Sequence, residues 1–355
     1  MRIDRRAFLG SLAAASLARR AAAGEPPRVV TVRGAVDPTE LGTTLVHEHV
    51  LVDFVGADKV SPGRYDAEEA FRSVLPHLSE LRQRGVRTLV ECTPAYLGRD
   101  PRLLWRLSEA SGLRIVTNTG YYGAMGDRFV PSHAHRETAA QLAARWTAEF
   151  ERGIDGTGIR PGFLKIGVDA GPLSGIDRKL VEAGARCHLD TGLTVAVHTG
   201  DGRAALDILA LLRELGVAPD AYIWVHAQNE RDRATQDWAA RQGAWVELDG
   251  VSPEALEGHV ESVVDLIRRG HIGRILVSQD AGWYRVGEPG GGRYRPHTFI
   301  LDAFVPALLR RGVSEEQVRT LLVHNPAHAF AIRVRRPTPA ALLGRRSGAT
   351  SRDRA

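Results

Sequence analysis

From residue 28 onward, short β-branched runs alternate with longer stretches whose apolar residues recur at helical spacing. The runs predict strands at Thr43–Val52, Val86–Thr93, Leu113–Thr119, Gly162–Val168, Leu193–His198, Tyr222–His226, Ala244–Leu248 and Arg274–Ser278. Between them the spacing predicts helices over Asp66–Arg84, Arg99–Ser111, Pro131–Glu151, Gly175–Thr191, Gly202–Leu215, Glu230–Gln242 and Pro253–Arg269. Helical pattern also runs from His297 to Arg311 and restarts at Ser314. Gly85, Gly112, Gly192, Gly216 and Gly243 each stand between a helix and the next strand, where a left-handed residue ends the helix. Strict β-then-α alternation implies a parallel sheet with right-handed crossovers. Eight such units predict a closed α/β fold, a (β/α)8 TIM barrel, with residues 28–37 as a short strand extension outside it. No G-x-G-x-x-G follows a strand, so an open doubly wound sheet lacks its usual phosphate loop.

The ends of the chain differ from the middle. Residues 1–24 combine Arg5-Arg6, an apolar run from Gly10 to Ala18, and Ala21-Ala22-Ala23, the pattern of an export leader. Asp4-Arg5-Arg6-Ala7-Phe8-Leu9 resembles the twin-arginine signal, which predicts hand-over of the folded protein to the twin-arginine export machinery and a periplasmic or secreted location. Residues 333–355 lose hydrophobic periodicity and predict a disordered basic tail, leaving 25–332 as the barrel domain. These two ends hold twelve of the 47 basic and two of the 42 acidic side chains, so the barrel keeps 35 basic against 40 acidic groups. The net charge of +5 is therefore no sign of a nucleic-acid partner. Cys92 and Cys187 belong to no C-x-x-C, which argues against a thiolate metal site. Both lie in apolar segments and read as buried free thiols rather than a periplasmic disulfide.

Reactive residues of a barrel come from the C-terminal ends of its strands. The first strand carries Leu45-Val46-His47-Glu48-His49, whose two histidines share one face with Glu48 on the other. An inward histidine pair needs a partner, either a metal ion or core hydrogen bonds. Strands five, six and eight end in His198, His226 and Asp280, and this repetition at matching positions favours a metal. Strand four contains Phe163-Leu164-Lys165-Ile166-Gly167. Burial of an amine favours its neutral, nucleophilic form, which takes up carbon dioxide as a carbamate able to bridge two metals. The other reading of Lys165 is an ion pair with Asp280 or another carboxylate.

The order H-x-H, Lys, His, His, Asp resembles the phosphotriesterase family of the amidohydrolase superfamily. The likeness extends to Thr44-Leu45-Val46-His47-Glu48-His49, Gly98-Arg99-Asp100, Thr119-Gly120-Tyr121-Tyr122, Ser278-Gln279-Asp280 and Asn325-Pro326-Ala327. It implies two divalent metal ions bridged by a carboxylated Lys165, with His47, His49 and Asp280 on the buried ion and His198 and His226 on the exposed one. Zinc suits these ligands, and manganese, cobalt and iron share the preference. The implied reaction is hydrolysis of a phosphotriester, lactone or related small-molecule ester by a metal-bridging hydroxide, with Asp280 accepting its proton. Members of this family often form homodimers.

Tyr122 falls where lactonase-like members carry a tyrosine, so it is a candidate substrate-binding residue, with an ordinary loop aromatic as the other reading. Gly250 stands where lactonases tend to carry Arg and phosphotriesterases His. The stretch His226-Ala227-Gln228-Asn229 lacks the carboxylate that relays a proton in organophosphate enzymes. Asp249 is left to orient a neighbouring ligand. The Gly-rich loop Trp283–Pro296 is expected to shape the pocket. A non-catalytic periplasmic binding protein on the same barrel is the competing reading, and turnover of an ester panel separates the two.

Overall fold

The computed structural model describes residues 26–337, so the expected leader lies outside the described residues, as does the chain beyond residue 337. The described chain enters through an antiparallel hairpin of β1 (Val29–Thr31) and β2 (Gly34–Val36), the expected extension. The barrel staves follow as β3 (Thr44–Val52), β4 (Thr88–Glu91), β5 (Arg114–Val116), β6 (Asn118–Thr119), β7 (Phe163–Gly167) and β8 (Val195–His198). They continue as β9 (Tyr222–Val225), β10 (Trp245–Leu248), β11 (Ile275–Val277) and β12 (Gly282–Arg285). All neighbouring staves pair in parallel, in the orders β12-β3-β4-β5 and β6-β7-β8-β9-β10-β11.

Two of the barrel's staves are each built from two strands. The third splits at Thr117, its first half bonding β4 and its second β7. The eighth breaks after Val277 and resumes as β12, a strand the apolar pattern did not predict. The ring closes there, where the Asp280 N–H donates to the His47 carbonyl at 3.1 Å and Gly282 pairs with His49. A Cβ on Gly282, at φ +95°, would sit 1.8 Å from the His49 oxygen, so this close approach admits glycine alone.

Helices α1 (Ala67–Gln83), α2 (Pro101–Ser111), α3 (Ala139–Arg152), α4 (Gly175–Thr191), α5 (Gly202–Glu214), α6 (Arg233–Gln242) and α7 (Leu256–Arg268) follow the staves as expected. The single helix expected over Pro131–Glu151 is two, because Thr138 forms a capping box with Gln141 and starts α3 afresh after a turn at Ser132–Arg136. The five inter-element glycines all have positive φ. Among the described residues no helix is long and apolar enough to cross a membrane.

Alternation along the staves sorts side chains into two cores. Leu164, Ile166, Val195, Val197, Trp224, Val246 and Leu248 face the helices. Phe163, Ala196, Ile223, Val225, Trp245 and Leu276 fill the barrel interior. Lys165, His198 and Glu247 lie two residues beyond Phe163, Ala196 and Trp245, so they continue the inward row toward the C-terminal rim. Cys92 and Cys187 are both buried and unpaired.

The expected disordered tail starts too early at Arg333. The Arg333 N–H donates to Gly192, and the buried Arg335 guanidinium bonds Thr194 and the carbonyls of Ala329 and Ala331. Composition hides this because an arginine that finds carbonyl acceptors is buried despite its charge. The Arg335 N–H also donates to His188 Nε2 at 3.0 Å, while His188 Nδ1 donates to the Leu193 carbonyl at 2.8 Å. Burial pushes the His188 pKa from 6.5 down to about 4, so the imidazole is neutral when folded. Its contribution is therefore complete above pH 6.5 and is lost as pH falls toward 4, a difference of about 3 kcal/mol. In urea titrations across that window, His188→Gln should lose less stability with acid than the parent protein. Identical pH dependence would refute this assignment.

Candidate active site

The inward rows of β3, β7, β8 and β10 and the turns after β9 and β11 converge at the C-terminal rim. His47 and His49 have ring centroids 5.4 Å apart, His47 and His226 5.0 Å, and His198 and His226 4.3 Å. Lys165, 2% exposed, places Nζ 3.4 Å from His47 Nε2. Among the described residues no carboxylate pairs with Lys165, so the alternative ion pair with Asp280 is not formed. His49 Nε2 lies 3.1 Å from Asp280 Oδ1, and the Tyr122 hydroxyl lies 2.9 Å from His198 Nε2. All seven residues singled out in the sequence thus meet in one place.

Two of them reach it by leaving the strand pattern. The inward positions of β9 are Ile223 and Val225, so regular alternation would turn His226 outward. Instead His226 takes a left-handed conformation at φ 63°, held by its N–H donating to Asp249 Oδ2 at 3.1 Å. Asp280 likewise sits at φ 51° in the break between β11 and β12. A positive φ is uncommon for any non-glycine residue, aspartate and histidine included, and such backbone collects at functional sites. A glycine makes room nearby: a Cβ on Gly120, at φ +124°, would lie 2.2 Å from the Lys165 carbonyl.

A layer of acceptors orients the imidazoles. His47 Nδ1 is 2.6 Å from Glu247 Oε1 and 3.0 Å from Asp249 Oδ2, and His226 Nδ1 is 2.6 Å from Asp249 Oδ1. His49 Nδ1 contacts Thr93 Oγ1 at 2.7 Å. With Nδ1 so engaged, His47, His49 and His226 keep Nε2 as the coordinating nitrogen, the usual arrangement of ligating histidines. His47, His226 and Asp249 also cluster closely enough to hold an ion. The Nδ1 atoms of both histidines are already spent on carboxylate bonds, whereas His47, His49 and Asp280 form a second group close enough to hold an ion through Nε2 and the carboxylate.

Burial pushes the Glu247 carboxyl well up. Asp249 is driven the other way, because His226 and His47 outweigh burial and hold its carboxyl well down. The pair accordingly shares one negative charge beneath the histidines. Burial, with Lys165 second, brings His47 to about 4, and burial with His226 pushes His198 well below the ordinary imidazole range. Neutral imidazoles are the form that binds metal. Burial would raise the Asp280 carboxyl, yet the His49 and His47 imidazoles outweigh it and hold it below the ordinary carboxylate range. Asp280 Oδ1 is buried with no aligned hydrogen-bond donor among the described residues. A carboxylate oxygen stranded between imidazole nitrogens fits a cation.

Sequence reasoning missed Glu247, although Glu247-x-Asp249 has the same i, i+2 signature as the histidine pair. It also missed an aromatic wall. Tyr122, Phe129, Phe54, Trp283 and His49 form a continuous arc with successive ring centroids 5.9, 6.0, 5.5 and 4.9 Å apart. Gln228 takes the space beside Asp249, donating to Asp249 Oδ1 at 2.8 Å and accepting from its N–H at 3.2 Å. A side chain at Gly250 would begin 2.9 Å from that amide and would have to displace it. Gly98-Arg99-Asp100 is structural: Arg99 bonds Glu149 and the Asn118 carbonyl, and Asp100 caps α2.

A parallel eight-stave barrel with an imidazole–carboxylate cluster able to hold a metal at its C-terminal rim is the architecture of a metal-dependent TIM-barrel hydrolase. The phosphotriesterase family profile matches residues 27–330, and the chain belongs to that family. It is similar to a phosphotriesterase homology protein of Escherichia coli strain K12, 30% identical over 298 residues that cover 83% of this chain and 99% of that protein. An aryldialkylphosphatase of Saccharolobus solfataricus is 25% identical over 310 residues, covering 84% and 98%. The crystal structure of a mutant PTE-like lactonase from Deinococcus radiodurans superposes with a TM-score of 0.76 at 29% identity, covering 85% of this chain and 100% of that one.

Proposed function

We propose that the protein is a binuclear hydrolase of apolar carboxylic esters, lactones among them, with His47, His49, Asp280, His198, His226 and a carboxylated Lys165 as metal ligands. The observation that carries this reading is the convergence of those side chains at one rim, with His47 and His49 on either side of the stranded Asp280 oxygen. Two divalent cations, zinc being the best match to the donors, would polarise the scissile ester and activate the attacking water. Lys165 Nζ, once its ammonium has given up a proton, would add to carbon dioxide and release a second proton, so that a buried cation becomes a carbamate anion able to hold metal. Glu247, Asp249 and Thr93 hold the histidines in place, and Asp280 accepts the proton released from the nucleophile.

The partly exposed Phe54 and Trp283, backed by the buried Phe129 and beside Tyr122, offer apolar surface at the rim, which supports a hydrophobic ester. Burial, then Asp280, pushes the Tyr122 phenol up, so its hydroxyl remains a donor for the substrate oxygen. The neutral Gln228 beside Asp249 offers no charged relay and disfavours rapid phosphotriester turnover. Export through the twin-arginine route, resting on Arg5-Arg6 and the alanine-rich run, completes the proposal.

The test is elemental analysis of protein purified with its native metals, followed by an ester, lactone and phosphotriester panel. Two equivalents of divalent metal are expected, with turnover of lactones or aryl esters that a chelator abolishes and added Zn2+ restores. Tight ligand binding without hydrolysis of any panel member would instead support the non-catalytic alternative.

A further inference from the structure

Between His47 and His49, Glu48 points away from the metal-site cluster and is nevertheless fully buried. Its carboxylate receives four hydrogen bonds. Oε1 accepts from Ser278 Oγ at 2.7 Å and from the Gln279 N–H at 3.1 Å. Oε2 accepts from the Ala281 N–H at 2.8 Å and from His297 Nδ1 at 3.0 Å. Two of these donors are the peptide N–H groups on either side of Asp280, in the segment where the eighth stave is interrupted. There the ladder offers them no strand partner, and a buried unpaired N–H is costly.

The surrounding contacts lock the same segment. Ser278 Oγ also accepts from the His47 N–H at 3.0 Å, and the Asp280 N–H donates to the His47 carbonyl. The Gln279 side chain accepts from the Ile300 N–H at 2.8 Å and donates to the His297 carbonyl at 2.5 Å. On its other side His297 meets the Tyr294 hydroxyl at 3.0 Å through Nε2, which ties the Gly-rich loop to the same carboxylate. The Asp280 backbone is thereby fixed at φ 51°, the conformation that turns its carboxylate toward His49.

We infer that Glu48 is a positioning residue for the metal centre, holding Asp280 in its left-handed turn, with His297 steadying the Glu48 carboxylate. This role rests on the metal-centre reading and concerns one ion, the one assigned to His47, His49 and Asp280. Loss of a supporting partner of this kind weakens metal binding about 10–100-fold.

The experiment compares Co2+-loaded holoenzyme of the parent, Glu48→Gln and Ser278→Ala under titration with a chelator, with far-UV circular dichroism as the control for folding. Glutamine preserves the volume but cannot accept from both flanking peptides and His297. Its first Co2+ equivalent should leave at about 10–100-fold lower chelator concentration, its second at the parental concentration. The visible Co2+ absorption of the labile equivalent should change as well, which a general loss of stability would not produce. Ser278→Ala, lacking one donor of four, should shift in the same direction by less.

Parental release of both equivalents from a folded Glu48→Gln protein would overturn the role while leaving the metal centre intact. If that variant does not fold, Ser278→Ala and His297→Phe decide, and parental release from both overturns the proposal. A parent protein that takes up no Co2+ overturns the metal-centre reading itself, and this role with it.

Discussion

Replacing Lys165 by alanine is expected to lower kcat/KM on the best ester by about 10³-fold or more, equivalent to roughly 4 kcal/mol of transition-state stabilisation. Added acetate or propionate should restore part of the loss. The size follows from position. Lys165 continues the inward row from Phe163, its neighbours Leu164 and Ile166 face the helices, and its Nζ lies 3.4 Å from His47 Nε2 among the four imidazoles. Among the described residues, Asp280 is the one other anion at the proposed metal site, because Glu247 and Asp249 are engaged behind the histidines. Truncation removes the bridging anion and leaves space for a small carboxylate. Lys165→Met fills that space, so it should lose activity without rescue. Labelled bicarbonate should appear on Lys165 of the parent protein and on neither variant. Parental turnover by Lys165→Ala would end the bridging role, whatever the metal content.

Most of the site was legible because strand alternation is a local property. His47-x-His49 and the single residues Lys165 and His198 each interrupt an apolar inward row, and a row can be read from sequence alone. The left-handed turns at His226 and Asp280 could not be read this way. They depend on acceptors and donors far along the chain, such as Asp249 for the His226 N–H. Glu247 interrupts the inward row of β10 in the same local way, but its partner His47 lies 200 residues away, so the row showed the residue and not its role. The barrel itself was legible from eight repeats of one period, but its seam was not. There the eighth stave yields hydrogen bonds to the Glu48 side chain, and a short second strand, β12, takes over the pairing with β3. Arg335 shows the opposite error, since composition counted its charge but could not count the carbonyl oxygens waiting for it.

Asp280→Asn should cut kcat/KM by about 10²–10⁴-fold while leaving the fold intact. Asparagine is one of the few residues that accept left-handed backbone readily, so φ 51° is retained at little cost. The peptide N–H groups around position 280 still reach Glu48 and the His47 carbonyl, because none of those bonds uses the Asp280 side chain. What changes is the carboxylate. The amide brings no negative charge to the stranded Oδ1 position beside His49, and it cannot accept a proton from the nucleophile. A loss confined to metal binding should be relieved by saturating Zn2+, whereas loss of the proton acceptor should persist as a lowered kcat at full metal occupancy. The second pattern is expected. Parental kcat in the fully loaded Asn variant would remove Asp280 from the proton-transfer step and leave it a ligand only.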